Sequence, residues 1–243
     1  MMIDEALKKE LAPNGKIRVG LNYQNFLLVL KDAPDGSPQG IAPDLGRELA
    51  RRAGLPVEFV RFNTAGALAD AVKAGTWDVA FLGNEPARAN EIAFSAAYLE
   101  IPVTFLVPPG SKIKTIADVD ADGVRVAVSE KSAYDLYLTR TFKRAQIVRV
   151  QGIEASFKHF TENKLEALAG LRPRLMIDTE AMPGSRILDG QVTGVQQSVG
   201  THKPRSRAAK FIAEFVEDAK RSGLVARTIE KHKVRGVTVA PPA

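Results

Sequence analysis

Residues 77–98 read WDVAFLGNEPARANEIAFSAAY. The apolar run at 79–82 predicts a buried strand that ends at Gly83. A polar turn follows with Asn84 and Glu85, then Pro86, whose missing N–H suits the first position of a helix. Arg88 falls in the first turn of that predicted helix. A strand ending in Gly at a helix N-terminus gathers free N–H groups and partial positive charge at one point. Arg88 adds a planar guanidinium able to grip a carboxylate through two parallel hydrogen bonds. The stretch reads as a seat for a small anion. The plainer alternative leaves Arg88 solvated, or paired with Glu85 or Glu91.

Outward from this stretch, strands and helices alternate. Residues 17–21 (IRVGL) predict a strand, 43–53 a helix stopped by Gly54, 57–62 a strand and 65–74 a helix ending at Gly75. A strand at 102–107 is closed by Pro108-Pro109-Gly110, and a second series begins. It comprises a strand at 124–128, a helix at 133–144 N-capped by Ser132, a strand at 146–150, a helix at 153–162 and a strand at 165–169. A further strand at 194–199 precedes a helix at 204–222. In that helix Ala208, Phe211, Ile212, Phe215, Val216 and Ala219 share one face, and Gly223 supplies the C-cap.

This order implies an α/β fold of right-handed βαβ units in two lobes. The first lobe takes residues 1–103 plus 199–243; the second, residues 104–198, is inserted into it and joined by two crossing strands. Ligands of open parallel sheets sit beyond the carboxyl ends of the strands, so a solute between two facing lobes is expected.

Composition narrows the function. With 243 residues and 45% hydrophobic content the chain can bury a sizeable core. Net charge is +6, but the basic residues scatter. The densest run, Lys203-Pro204-Arg205-Ser206-Arg207, opens a helix and reads as a solvated face, so no nucleic-acid partner is expected. The absence of cysteine excludes disulfides, thiolate metal sites and a cysteine nucleophile. His159, His202 and His232 lack metal-ligand spacing, and no metal or cofactor is expected. No apolar run approaches the ~20 residues of a membrane span. The opening MMIDEALKKELAPNGK has no basic region followed by an apolar one, so it is not a signal peptide.

The ordered segments KIRVGLNYQNF, GIAPDLGRELARRAGLPVEFV, LADAVKAGTWDVAF, PARANEIAFSAAY and GVRVAVSEKSAYD carry a family likeness. The chain resembles the periplasmic type II solute-binding proteins, in the polar amino-acid-binding family of ABC importers (extracellular solute-binding proteins, family 3). The resemblance implies two α/β lobes joined by two hinge strands that close on a solute. It also implies a monomer without catalytic activity, a membrane component of an ABC importer as partner, and a periplasmic location. If the chain is the whole gene product, the missing signal peptide implies the cytoplasm instead.

Residue by residue, the resemblance implies that Arg88 grips the ligand carboxylate and that Tyr23 or Phe26, after Asn22, covers the ligand. It implies that Ser129, Lys131 and Ser132 complete the carboxylate site. The family's first-lobe loop is longer and hydroxyl-rich; here it is Gly83-Asn84-Glu85-Pro86. The family's ammonium-binding aspartate would fall near Leu171, where no acid stands and Arg172 is next door. Either Glu85 replaces that acid, or Arg172 takes a second anionic group and the ligand is a dianion. Two alternatives to a transport component stay open: a cyclohexadienyl-dehydratase-like enzyme with Glu85 as the acid, and a cytosolic solute-sensing module.

Overall fold

The computed structural model describes residues 3–243. They form two compact units: one runs to Glu100 and resumes at Gln196, and the other is Ile101–Val195. The expected limits, 103/104 and 198/199, lie three residues further along at each crossing. Both crossing strands run unbroken through these points, so the local pattern carries no mark of the boundary.

The first unit opens with helix α1, Glu5–Leu11, N-capped by Asp4, whose carboxylate accepts from Leu7 N at 2.8 Å. Then come β1 (Ile17–Asn22), α2 (Ile41–Ala53), β2 (Val57–Phe62), α3 (Ala65–Asp70), β3 (Val79–Gly83) and the long β4 (Ile92–Val107). β1 pairs in parallel with both β2 and β3, so these three strands end on one edge. One face of β1 and β3 meets α2 closely: a Cβ on Gly46 would lie 3.3 Å from Val19 and 3.6 Å from Phe81. On the other face Leu68, Trp77, Ala80, Leu82 and Ile92 pack together.

The second unit contains β5 (Arg125–Ser129), α4 (Ala133–Thr141), β6 (Gln146–Val150), α5 (Ile153–Glu162), β7 (Ala167–Leu171), α6 (Arg172–Ala181) and the short β8 (Arg186–Ile187). β5 runs parallel to β6 and β7. Leu106, Ala127, Phe160, Leu165, Leu168 and Leu175 form its core. α6 lies close on β7: a Cβ on Gly170 would meet Leu175 at 2.9 Å.

β9 (Thr193–His202) leads the chain back to the first unit, where it pairs antiparallel with β3. α7 (Ser206–Arg221) and α8 (Leu224–Lys231) follow, and β10 (Thr238–Val239) pairs with β4 at Leu99 and Glu100. α7 packs on α1 and α8, and α8 packs on α2. Gly223 joins the two helices at φ 73°, the left-handed region that favours glycine.

Several expectations need correction. The helix expected after Pro86 is a single 3-10 turn, Arg88–Asn90. The strand expected at 102–107 is the second part of β4, which starts at Ile92, and the helices expected at 65–74 and 133–144 end at Asp70 and Thr141. α1, α6 and α8 were not anticipated. α6 has no side-chain N-cap, and only Leu175 and Asp178 are buried in it, so its apolar periodicity is faint.

Asp78, with no exposed surface, ties the first unit together at the amino ends of its strands. It accepts from Arg18 Nε at 2.9 Å, Arg18 Nη2 at 2.8 Å, the Arg18 backbone N–H at 3.1 Å and Arg205 Nη1 at 2.9 Å. Burial pushes its carboxyl up, but these bonds outweigh burial and hold it below the ordinary value. Asp78→Ala is expected to cost about 3–5 kcal/mol in urea unfolding, because two partly buried guanidiniums lose their counter-charge. The depressed pKa also fixes the sign with pH. The contribution is complete above the unfolded carboxylate pKa of about 3.9 and is lost as pH falls through the folded value, so the wild type should lose stability more steeply below pH 4 than the variant.

Candidate functional site

In the first unit the carboxyl ends of β1 and β3 lie side by side, with Leu21 opposite Phe81. Asn22 ends β1, and its Oδ1 accepts from Gln24 N at 3.1 Å, turning the chain. Tyr23 is fixed in place by three neighbours. Its backbone N–H donates to Phe62 O at 2.9 Å, its hydroxyl donates to Asp32 Oδ1 at 3.1 Å, and the Arg61 guanidinium lies 4.6 Å from its ring centroid. Burial raises the Tyr23 pKa, partly offset by Arg61. Arg61 also pairs with Asp32. Phe26 is half-buried in the same loop.

At the end of β3, Asn84 is exposed and its backbone N–H donates to Gln196 O at 2.8 Å. Glu85 is buried, and its carbonyl accepts from Arg88 N at 2.9 Å and Ala89 N at 3.0 Å. Arg88 is buried too, at 7% exposure, which removes the solvated alternative. Its Nη1 donates to Gly83 O at 2.8 Å. Burial lowers its pKa to about 10, with the charges of Glu85 and Asp70 opposing, so it stays protonated at neutral pH.

In the second unit Ser129 ends β5, and the chain turns into α4 through Lys131 at φ 56°. Ser132 caps α4 by accepting from Asp135 N at 3.1 Å. Asp135 is buried and holds the turn, accepting from Lys131 N at 2.8 Å and Arg149 Nε at 3.0 Å. The Tyr134 hydroxyl is hydrogen-bonded to Ser132 and Ser129; burial pushes its pKa up to about 12 against those bonds. Arg172 is the first residue of α6, at the end of β7. Its Nη2 donates to Leu188 O at 2.9 Å and Gly190 O at 2.6 Å.

Thus the structure groups Asn22, Tyr23, Asn84, Glu85 and Arg88 at strand ends of one unit, and Ser129, Lys131, Ser132 and Arg172 at strand ends of the other. Asp32, Arg61, Asp135 and Arg149, which hold Tyr23 and the Lys131 turn, were not singled out in the sequence. The pairs Tyr23–Asp32, Asp135–Arg149 and Arg61–Asp32 span 9 to 29 residues, beyond any local motif. Among the described residues no group of three His, Asp or Glu is placed to hold a metal ion. Nor is any helix among them long and apolar enough to cross a membrane. Guanidinium, hydroxyl and aromatic groups at strand ends are suited to holding an anion.

Residues 17–234 match the bacterial extracellular solute-binding proteins, family 3. The chain belongs to that family, and its fold is the type II periplasmic-binding-protein fold. Among solved structures, holo ArgBP from T. maritima is 22% identical, with a TM-score of 0.72 over 93% of this chain and 99% of that one. A solute receptor for L-cysteine of Neisseria gonorrhoeae is 18% identical, with a TM-score of 0.78 over 95% of each chain. An ancestral amino acid-binding protein that is a precursor of cyclohexadienyl dehydratase is 21% identical, with a TM-score of 0.74 over 92% of this chain and 97% of that one.

The cap on α4 can be tested on its own. Ser132→Ala should lower stability by about 1 kcal/mol in chemical denaturation, the cost of an orphaned helix N–H. Ser132→Asp, which can still cap, should recover most of it.

Proposed function

We propose that the chain binds a small anionic or zwitterionic solute, an amino acid or a carboxylate, without transforming it. In this reading it serves as the substrate-binding component of an ABC importer, outside the cytoplasmic membrane. The observation that carries the reading is Arg88: a buried, protonated guanidinium at the carboxyl end of β3. A buried cation of this kind gains most from an anionic ligand that can face it in a dry site. Tyr23, Asn22, Asn84 and Glu85 from the first unit, and Ser129, Lys131, Ser132 and Arg172 from the second, are the proposed contacts to one solute.

A thermal-shift screen of amino acids, dicarboxylates and aromatic acids tests the class of solute. A ligand at a hundredfold its Kd should add about 2.7 kcal/mol to stability. Arg88→Lys keeps the charge and loses the planar fork, so it should weaken binding of any hit at least tenfold in titration calorimetry. Unchanged affinity would remove Arg88 from the site. Arg88→Ala is the poorer probe, since it also strips a donor from the Gly83 carbonyl and should destabilise the free protein. Arg172→Lys, chosen over Ala because Arg172 also serves the Leu188 and Gly190 carbonyls, separates one anionic group from two: a loss equal to that of Arg88→Lys marks a dianion.

A second reading, an enzyme on this fold, rests on Glu85, a buried carboxylate beside Arg88. Incubation with prephenate or arogenate followed by product detection tests it. Turnover that disappears in Glu85→Gln would replace the binding reading.

A further inference from the structure

α2 and α8 pack together in the first unit and leave a groove of about 330 Å³ between them. That volume falls in the range of small-molecule sites, roughly 300–1,000 Å³. The charged lining is Asp44, Arg47, Glu48 and Arg51 from α2, with Arg227 and Lys231 from α8. None of the proposed solute contacts lines it. Four cations against two carboxylates leave an excess of two positive charges. Both carboxylates are already shared out. Asp44 pairs with Arg47 at 3.1 Å, Lys231 at 2.7 Å and His232 at 2.8 Å. Glu48 pairs with Arg51 at 2.7 Å and Arg52 at 2.8 Å, and hydrogen bonds from these guanidiniums hold its carboxyl down at about 2. Asp218 of α7, which Arg52 also reaches, is itself divided between Arg52 and Arg221.

Arg227 is the cation left over. Among the described residues it pairs with no carboxylate, and its Nη1 donates to Ser222 O at 2.8 Å. Gly223 leaves room for this fold-back, since a Cβ there would stand 3.2 Å from Arg227 Nη1. The guanidinium is thus held at the junction of α7 and α8 with donors to spare. On the opposite wall Arg51 spends Nε and Nη2 on Glu48 and keeps Nη1. The Arg51 side chain is 72% exposed and that of Lys231 61%, so their present pairs are weak enough to rearrange around a stronger anion. We propose that this groove is a second binding site, for the phosphoryl group of a phosphate monoester. A single carboxylate answers one of the two surplus charges. A phosphate monoester brings about −1.5 to −2 at pH 7 and three acceptor oxygens, enough to engage Arg51 on one helix and Arg227 on the other. A soluble ester and the headgroup of phosphatidic acid present the same group. The site does not depend on the solute-binding reading.

Phosphorus NMR titration with glycerol 3-phosphate tests the site, and co-sedimentation with phosphatidic acid vesicles, against phosphatidylcholine vesicles, tests its source. The wild type should bind the soluble ester saturably. Arg227→Gln and Arg51→Gln should each weaken it at least fivefold, while the ligand-free melting temperature hardly moves, because both side chains are exposed. Lys143→Gln removes one exposed charge outside the groove and should bind within twofold of wild type. Binding to phosphatidic acid vesicles alone, lost in the two groove variants, would support the site with a lipid headgroup as its occupant. An equal loss in Lys143→Gln would trace binding to the net charge of +6 and overturn the site. Unchanged affinity in both Arg227→Gln and Arg51→Gln, or no binding of ester and vesicles by the wild type, would overturn it as well. Succinate bound as tightly as the ester and lost in the same variants would make the groove a general dianion site and overturn the phosphoryl assignment.

Discussion

The first unit is organised around one buried carboxylate. Asp78 receives both the backbone N–H and the guanidinium of Arg18, and a second guanidinium from Arg205. The surrounding backbone closes on the same point: Asp78 N donates to Arg18 O at 2.8 Å, and Thr201 Oγ1 donates to Asp78 O at 2.9 Å. Three segments distant in sequence, the starts of β1 and β3 and the approach to α7, are thereby locked in register. A slip of one residue would turn every core side chain of a strand to the wrong face, so a lock at the amino ends is also a constraint on what appears at the carboxyl ends. Asn22 and Gly83, and through Gly83 the buried Arg88, owe their placement to it.

The second unit repeats the device with a different weight. Arg125 opens β5, and Glu166 immediately precedes β7. The Arg125 backbone N–H donates to Glu166 Oε2 at 2.8 Å, and its Nε and Nη2 donate to the same carboxylate. This is the Arg18–Asp78 arrangement on the corresponding strands. Here, however, the two side chains are 38% and 34% exposed, against 19% and 0% in the first unit. Exposed pairs contribute on the order of 0–1 kcal/mol, so in the second unit the pair directs register while the Leu106–Phe160–Leu175 core supplies the stability.

How much of this was legible in the sequence depends on how local its cause is. β2, β6 and α5 match the residue pattern end to end, at 57–62, 146–150 and 153–162, because periodicity and flanking Gly or polar turns define them. Ser132 as a cap was legible because capping is a contact over three residues. The burial of Arg88 was not. Its guanidinium folds back on Gly83 O from the start of a single 3-10 turn, and nothing in PARAN distinguishes that from a solvated first helical turn. α6 hides for a related reason: it starts at the strand end without a capping side chain, and its apolar face amounts to little beyond Leu175. Of the site, Arg88 and Ser132 could be picked from local motifs. Asp32, Arg61 and Arg149 could not, since each acts through a partner 9 to 29 residues away.

β9 lies between β3 and β4 in the strand order, yet it is encoded after the entire second unit. The order of synthesis therefore differs from the order of assembly. The second unit is one continuous stretch and leaves the ribosome complete, whereas the first unit waits for β9, α7 and α8. Until residue 202 emerges, the backbone edge of β3 that β9 will pair stays open. An unpaired strand edge is a template for pairing with another chain, so the first unit is most open to aggregation before β9 has been made.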